Sequence, residues 1–358
     1  MNTLDNIKQI KKLDPGQVLL SIEKLASQVS QVNEEFKKIS LPADFKKVDK
    51  IIVNGMGGSA LGSHILRSLF FDQLKLPLGI INSYQLPASL DKNTLYIVSS
   101  YSGTTEEPLA TIDEAKRKQA KIFGIASGGK LGELIKQKKI AGYVFDAKFN
   151  PSNQPRMGLG YSLAAQLALF KKLGLLSISE QQVNRALALV SGWDKAFGVN
   201  AATKNNPAKQ LALKLKDKMP VIVTSEFLAG NAHTFANQIN ENAKTFANYF
   251  LISEMNHHLL EGLSFPKTNR QNLFFVFFDS RLYQAKNQIR YKITKQVVAK
   301  IKIPFFSYQL SSTDKISQVL EFLAFGSYAS FYLGILNGVN PSKIPWVDYF
   351  KEQLKKAS

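Results

Sequence analysis

Short apolar runs alternate along the first half of the chain with stretches whose apolar residues recur at helical spacing. The runs lie at residues 51–53, 78–82, 95–99, 121–126 and 143–146. Helical patterns at residues 61–70 and 108–119 lie between some of them. Continuously apolar strands that alternate with helices are typical of a parallel sheet covered by helices on both faces. The pattern therefore predicts a doubly wound α/β domain.

The alternation stops in the middle of the chain and then returns. Helical spacing dominates residues 158–173 and 179–194, and the polar stretch at residues 200–207, which ends in proline, is the predicted linker. Strand and helix patterns then follow at residues 221–223, 249–252, 273–278, 282–299, 303–308, 315–336 and 347–356. The second half therefore predicts a second sheet.

The two halves resemble copies of one unit. An offset of roughly 170 residues aligns Val53 with Val223 and Val98 with Val276. We therefore predict two flavodoxin-like doubly wound parallel sheets with helical connections. The predicted segments are an N-terminal helical region (1–40), a first sheet domain (41–150), interdomain helices (151–205), a second sheet domain (206–340) and a C-terminal helix (341–358).

Two predicted strand-to-helix turns in the first half are suited to holding a phosphate group. Residues 54–60 are glycine-rich, and residues 99–105 read Ser-Ser-Tyr-Ser-Gly-Thr-Thr. Hydroxyl side chains and backbone N–H groups at a helix start favour a phosphate monoester, and parallel strands bring such turns to one edge of the sheet. Neither turn has the Gly-Lys-Ser/Thr of a nucleotide-binding loop or the full dinucleotide spacing. The turns therefore predict a site for a phosphorylated small molecule, with a sugar phosphate ahead of a nucleotide.

Composition narrows the class of protein. The 358 residues are 45% hydrophobic and 20% charged, which is typical of a globular protein, and the absence of cysteine excludes disulfides and thiolate chemistry. The net charge of +19 comes from basic residues scattered along the chain, so nucleic-acid binding is not indicated, although an anionic substrate would be attracted. We find no signal-peptide core and no apolar run long enough to span a membrane, and we expect a cytoplasmic protein.

Ionisable residues outside the turns are candidates for proton transfer. Glu241 lies between two asparagines near a predicted helix end and is either a general base or a capping carboxylate. His257 and His258 follow a predicted strand, and at most one of these neighbours is expected to act. Arg156 could stabilise an oxyanion or lie on the surface, whereas Lys351 has the pattern of a surface lysine. The four histidines form no helical i, i+4 pair, so no metal site is expected.

Taken in order, these segments resemble the bifunctional phosphoglucose/phosphomannose isomerase family, which is built from two sugar isomerase (SIS) domains. The matching residues span nearly the whole chain. They are Gly55-Met56-Gly57-Gly58-Ser59, Ser100-Tyr101-Ser102-Gly103-Thr104-Thr105, Pro155-Arg156, Asn240-Glu241-Asn242-Ala243-Lys244, Glu254-Met255-Asn256-His257 and the tail from Val339-Asn340-Pro341 to Lys351. One SIS turn identifies only the type of domain. The combination with the Asn-Glu-Asn-Ala-Lys segment and the following histidine is what indicates this family.

The resemblance implies tandem SIS domains and a role for each matching residue. Glu241 would carry a proton between C2 and C1, and Arg156 would stabilise the enediolate. His257, reaching the site from the neighbouring subunit of a homodimer, would help to open the sugar ring, and Lys351 would contact the ring oxygen or a hydroxyl group. The substrate phosphate would be held by Gly58, Ser59, Ser100, Ser102 and Thr105.

The implied reaction is an aldose–ketose isomerisation that interconverts glucose 6-phosphate, mannose 6-phosphate or both with fructose 6-phosphate through a cis-enediol. It needs a base, an acid and a cation, but neither a redox cofactor nor a metal. The alternative is a SIS protein that binds a sugar phosphate as a non-catalytic sensor or interaction module. A sensor would have no need of Glu241, Arg156 and His257, so we favour the enzyme.

The chain departs from the family pattern at several positions. His64 replaces an acidic residue that many relatives carry, Thr104 replaces an asparagine, and His258 follows His257 where the family usually continues with asparagine. These departures bear on the substrate range and on which imidazole acts.

Overall fold

The chain forms two parallel β-sheets. The computed structural model describes residues 3–357, so residues 1, 2 and 358, at the outer ends of the first and last predicted segments, lie outside the described part. The strands are β1 (Lys50–Gly55), β2 (Leu78–Ile81), β3 (Thr94–Ser99), β4 (Lys121–Ala126), β5 (Ala141–Val144), β6 (Met219–Ser225), β7 (Asn248–Ile252), β8 (Leu273–Asp279) and β9 (Phe305–Gln309). Their order is β2-β1-β3-β4-β5 in the first sheet and β7-β6-β8-β9 in the second. The shared order confirms the predicted pair of flavodoxin-like doubly wound sheets.

Helices cover both sheets and connect them. They are α1 (Ile7–Leu13), α2 (Val18–Glu23), α3 (Leu25–Phe36), α4 (Gly58–Leu69), α5 (Glu106–Ala110), α6 (Ile112–Arg117), α7 (Gly129–Lys136), α8 (Leu159–Lys172), α9 (Glu180–Phe197), α10 (Pro207–Leu215), α11 (Ala229–Gln238), α12 (Leu259–Gly262), α13 (Asn269–Asn272), α14 (Ala285–Lys300), α15 (Lys315–Leu336) and α16 (Pro345–Ala357). A one-turn π-helix, Ile239–Ala243, continues α11.

The central strands are continuously apolar because helices cover both faces of each sheet. All six residues of β3 are buried, and Ile97 at its centre lies in register between Val53 on β1 and Phe123 on β4. Each buried aliphatic or aromatic side chain stabilises the fold by about 1.5–3 kcal/mol relative to its exposure. A fully buried parallel strand therefore shows a continuous apolar run and no alternation.

Helices α4 and α11 join the two sheets. Each helix follows the first central strand of its own sheet, and they cross so closely that a Cβ atom on Gly230 would lie 2.4 Å from the carbonyl carbon of His64. At the other end of the crossing, Gln238 of α11 donates to the carbonyl of Arg156, whose backbone in turn abuts Gly58 at the start of α4. The two helices therefore run antiparallel, with the end of each beside the start of the other.

Helix α15 is a core helix of the globular fold. Its length and its mean hydropathy of 1.5 would allow it to cross a membrane, but 94% of its most apolar window is buried inside the protein. The expectation that no apolar stretch reaches that length was therefore wrong. Glu321 lies in this helix, fully buried, and accepts hydrogen bonds from the N–H groups of Ser311 and Ser312. Such internal pairing is how a buried core helix accommodates a carboxylate.

Candidate active site

The turn between β1 and α4 brings glycine backbone against a second turn of the chain. Gly57 has a φ of +48°, a left-handed conformation that glycine adopts without steric cost. A Cβ atom on Gly58 would lie 2.7 Å from the backbone nitrogen of Arg156, so only glycine permits this approach. The Ser59 hydroxyl accepts a hydrogen bond from the Tyr101 N–H at 2.8 Å. That bond links the two predicted phosphate turns and leaves the hydroxyl proton of Ser59 available for a ligand.

The turn after β3 is organised by its own hydroxyl groups. Buried Ser100 shares a 2.7 Å hydrogen bond with the Thr105 hydroxyl and accepts one from the Gly103 N–H at 3.1 Å. Ser102 and Thr104 are exposed, and their hydroxyl oxygens lie 2.9 Å apart. Ser100 therefore shapes the turn from inside, whereas Ser102 faces the space that a ligand can reach.

Arg156 is a buried cation whose donors are all engaged. Its Nε donates to Oδ1 of Asn242 at 2.6 Å, and its Nη1 donates to Oε1 of Gln154 and Oε2 of Glu241, each at 2.8 Å. Its Nη2 donates to the carbonyls of Pro341 at 2.8 Å and Ser342 at 3.1 Å. Burial lowers the pKa of Arg156 from its usual value, and the adjacent Glu241 opposes that shift. A guanidinium has five N–H donors, and here all five are used, so the side chain is held in one orientation.

Glu241 is presented by the π-helical turn at the end of α11. On either side of it, Asn242 is fully buried and donates to the Ser330 hydroxyl, and Asn240 exchanges two hydrogen bonds with the backbone of Ala247. The Glu241 side chain itself stays 29% exposed. Single π-turns occur frequently at functional sites, because the extra residue redirects one side chain. Here the turn points a partly exposed carboxylate at a buried arginine.

Lys244 is a residue that the sequence analysis quoted but did not assign to the site. It has a φ of +52°, and its Nζ donates to the carbonyl of Asn340 at 2.6 Å. Burial and the nearby charge of Arg156 lower its pKa to about 8, against the opposing effect of Glu241. Its position three residues after Glu241, directly after the Asn-Glu-Asn-Ala segment, is the sequence feature that could have placed it in the site.

The two candidate histidines lie away from Glu241 within the chain. Asn240 is bonded to Ala247, just before β7, so Glu241 sits at the amino end of that strand. His257 and His258 are exposed beyond its carboxyl end, where Asn256 donates to the Thr294 hydroxyl of α14 at 2.8 Å. A five-residue strand spans about 16 Å, so one chain does not bring either imidazole to its own carboxylate.

Lys351 lies on the exposed C-terminal helix α16. That helix has no buried residue, and large apolar side chains on it, Trp346 and Phe350, are 80% and 63% exposed. Asp348, in its first turn, is close enough to raise the pKa of Arg156. The helix therefore begins beside the site, whereas Lys351 contacts no partner among the described residues.

The described residues contain no cluster of three histidine, aspartate, glutamate or cysteine side chains that could hold a metal ion. The site instead combines hydroxyl groups, glycine backbone, one carboxylate and one buried guanidinium. On this fold, those parts define a sugar-phosphate isomerase of the tandem SIS class.

Comparisons with known proteins agree with that class and refine it. The family model described as "Bacterial phospho-glucose isomerase C-terminal SIS domain" matches residues 204–354. A bifunctional phosphoglucose/phosphomannose isomerase of Caldicellulosiruptor bescii is 33% identical over 339 residues, covering 93% of this chain and 98% of that protein. One of Thermoplasma volcanium is 28% identical, covering 86% and 92%. The chain therefore belongs to the bifunctional phosphoglucose/phosphomannose isomerase family.

Solved structures support the fold independently. A hypothetical protein of Thermus thermophilus superposes with a TM-score of 0.74 at 15% identity, covering 98% of this chain and 94% of that one. Together with the family assignment, this confirms the resemblance that the sequence indicated. The chain is an enzyme, an isomerase acting on sugar phosphates, and the non-catalytic alternative is set aside.

Proposed function

We propose that the protein interconverts glucose 6-phosphate and mannose 6-phosphate with fructose 6-phosphate through a cis-enediol, without a metal ion. The observation that carries this proposal is the 2.8 Å contact between Arg156 and the partly exposed carboxylate of Glu241, next to the hydroxyl-lined turns. A base beside a fixed cation is what proton transfer α to a carbonyl requires. The curated relatives bear the names of both activities.

The substrate phosphate is proposed to lie between the two turns of the first sheet. Ser102 is exposed there, and Ser59 has a hydroxyl proton to donate. Ser100 and Thr105 bond to each other, so we assign them the shaping of the turn together with one remaining donor. We assign Gly58 to the cradle through its backbone at the start of α4, which its missing Cβ allows to pack against the backbone of Pro155 and Arg156.

Glu241 is proposed as the base that removes the proton from C2 and returns it to C1. Its carboxylate contacts Arg156, and the same guanidinium faces the oxygen on which negative charge develops. Oε1 of Gln154 shares Nη1 of Arg156 with Glu241, and we propose that a substrate oxygen displaces this amide oxygen. The buried guanidinium thus supplies the positive charge that a metal ion supplies in other isomerases.

Activity on both C2 epimers follows from the intermediate. Deprotonation at C2 gives the same cis-enediol from glucose and from mannose 6-phosphate. Rotation about C2–C3 of the open chain then lets one carboxylate return the proton to either face. We therefore assign both substrates to one site with Glu241 as the single base.

We propose that the imidazole of the site, that of His257, comes from another copy of the chain. Within one chain, His257 lies about one strand length from Glu241. Exposed apolar side chains lie on α14, which Asn256 contacts, and in the segment after α12; they are Ile289, Ile293 and Phe265, which are 58%, 51% and 68% exposed. A homodimer that buries this surface would place His257 of one copy in the site of the other, where it would open the sugar ring.

Lys351 and the location of the enzyme complete the proposal. Helix α16 follows the carbonyls of Pro341 and Ser342, which accept hydrogen bonds from Arg156, so Lys351 lies on a helix that begins beside the site. We propose that it contacts the ring oxygen or a hydroxyl group. We also propose that the enzyme works in the cytoplasm and needs no cofactor.

Solvent exchange tests the cis-enediol step. The protein is incubated with fructose 6-phosphate in deuterium oxide, and the sugars are analysed by proton NMR. A proton shuttled by Glu241 exchanges partly with solvent, so deuterium should appear at C2 of both aldose products. Products free of deuterium at every stage of the reaction would indicate hydride transfer and would overturn the proposal.

A further inference from the structure

A second cleft lies at the opposite end of the α4–α11 crossing. Its volume is about 1050 Å³, and it is bounded by the end of α4, the start of α11, the carboxyl end of β7 and the loop after β8. The candidate active site lies at the start of α4, the crossover helix of the first sheet. Because α4 and α11 are antiparallel, the second cleft lies at the start of α11, the crossover helix of the second sheet. Ligands of open α/β sheets bind outside the carboxyl ends of strands, and this cleft has that location.

Each of the two clefts contains one ion pair, and the two pairs occupy equivalent positions along the chain. In the candidate active site, Arg156 just before α8 pairs with Glu241 just after α11. In the second cleft, Lys315 at the start of α15 pairs with Asp72 just after α4, with Nζ and Oδ2 3.1 Å apart. In each case a cation before a long helix meets a carboxylate that follows the crossover helix of the other sheet.

In the second domain, a carboxylate of the chain itself lies between the turns that correspond to the proposed phosphate turns of the first domain. Glu226 follows β6 with a φ of +49°, where Gly57 follows β1 with a φ of +48°. Its Oε1 accepts hydrogen bonds from the Gln284 N–H at 2.9 Å and from Asn287 at 2.7 Å, at the start of α14. Glu226 thus links the turn after β6 to the loop after β8, as Ser59 links the turn after β1 to the turn after β3, where we propose that the substrate phosphate binds. The second cleft is therefore not a second active site for the same sugar phosphate.

The rest of the cleft is lined by groups that attract an anion. Both lining carboxylates are engaged, Asp72 by Lys315 and Glu226 by the start of α14. Arg67 is exposed to the cleft and pairs with no carboxylate among the described residues. Beside it, the rings of His64 and His233 meet edge to face at 4.5 Å, and Nδ1 of His233 is buried without a hydrogen-bond partner.

We propose that the second cleft binds a small oxyanion, a carboxylate or phosphate compound whose charged group contacts Arg67, beside the paired rings of His64 and His233. Arginine presents paired donors that match such groups. Tyr249, stacked on His233 at 5.1 Å, forms a wall for the uncharged part of the ligand. The site belongs to the same chain as the active site but shares no residue with it.

Calorimetric titration with inorganic pyrophosphate tests this proposal. The full-length Ser102→Ala variant is used, because its own phosphate turn is weakened. It should bind one pyrophosphate per chain, and adding Arg67→Ala should weaken that binding roughly tenfold. Arg185→Ala, which removes an exposed arginine on α9 away from the cleft, is the matched control and should leave the affinity unchanged.

Three results would overturn the proposal. The first is no measurable binding to Ser102→Ala. The second is equal weakening by Arg67→Ala and Arg185→Ala, which would mean an adventitious ion only, attracted by the net charge of +19. The third is unchanged affinity in Arg67→Ala. Isomerase activity of Arg67→Ala should stay at the wild-type level, so failure of this proposal is distinct from failure of the proposed reaction.

Discussion

Nη1 of Arg156 lies 2.8 Å from Oε2 of Glu241, and this contact joins the two halves of the chain. The backbone of Arg156 abuts the glycine turn of the first sheet, whereas Glu241 ends the crossover helix of the second. The arginine side chain of this ion pair is fully buried, and the glutamate side chain is 29% exposed. The proposed base, the cation and the proposed phosphate turns are therefore held in one geometry by the Arg156 side chain and its backbone.

Replacing Ser102 with alanine should weaken substrate binding and leave the chemical step nearly intact. Its hydroxyl is exposed at the phosphate turn and bonds only to Thr104 there. A lost hydrogen bond to a charged phosphate costs about 1.5–3 kcal/mol, so KM should rise roughly tenfold or more at similar kcat. Steady-state kinetics measure both constants, with Ser191→Ala on α9 as the control. A fall in kcat at unchanged KM would contradict the phosphate role.

Gly58→Ala should lower activity although Gly58 has no side chain to contribute. The added Cβ would lie 2.7 Å from the Arg156 nitrogen and would displace the turn that carries the guanidinium. We expect kcat/KM to fall at least about tenfold, since a displacement near 1 Å has that effect in positioned sites. Gly192→Ala is the control, because among the described residues no atom beyond its own helical turn lies within 4 Å of its Cβ position. Equal activity of the two variants would show that the close approach is unimportant.

Mixed dimers should recover activity if His257 acts across a subunit interface. Glu241→Gln and His257→Ala are each expected to be inactive, but a dimer of one copy of each contains one intact site. Random mixing should therefore restore about a quarter of wild-type activity in a two-fold symmetric dimer. Co-expression with two different tags and a coupled assay measure the recovery.

The control for that experiment pairs Glu241→Gln with Arg156→Lys. These two residues contact each other within one chain, so no mixed dimer contains an intact site and no recovery is expected. Full inactivity of both mixtures would place His257 in its own chain's site. Inactivity of His258→Ala with an active His257→Ala would mean that the neighbouring imidazole acts.

Stability should fall between pH 6.5 and 4 because of His64. Burial, with smaller effects of His233 and Arg67, lowers the pKa of His64 to about 4. The unfolded chain, whose histidines titrate near 6.5, therefore gains the proton first as pH falls. The contribution of His64 to stability is complete above that pH and should decrease on the order of 2 kcal/mol by pH 5. Urea unfolding measures the free energy of unfolding at pH 7 and pH 5. The difference between the two values should be smaller in His64→Phe than in wild type, and it should equal the wild-type difference in the control His258→Phe, whose histidine is exposed.

The sheet architecture could be predicted because each strand has a local signature. Buried β3 shows a continuous apolar run, and the predicted bounds of β4 are those that the structure has, Lys121–Ala126. The predicted linker at residues 200–207 is instead tied down, since Thr203 donates two hydrogen bonds to Asp5. Its polar residues serve partners almost two hundred positions away, which no local pattern reveals.

The site could be predicted only in part, for the same reason. Residues of both turns and Glu241 were recognisable by type and order. The saturation of Arg156 by five acceptors depends on Asn242, Pro341 and Ser342, which the fold gathers from distant segments. The distance from Glu241 to His257 depends on the direction of β7, and the second cleft depends on the antiparallel crossing of α4 and α11. Those relationships exist only in three dimensions.

The most direct test of the central claim is a coupled isomerase assay in the presence of EDTA. Purified wild-type protein and Glu241→Gln are given glucose 6-phosphate and mannose 6-phosphate separately, and fructose 6-phosphate formation is followed. We predict metal-independent turnover of both sugars by the wild type and a loss of roughly a hundredfold or more in Glu241→Gln, which should still bind a sugar-acid phosphate. Comparable turnover by Glu241→Gln, or a wild-type activity that EDTA abolishes, would contradict the account.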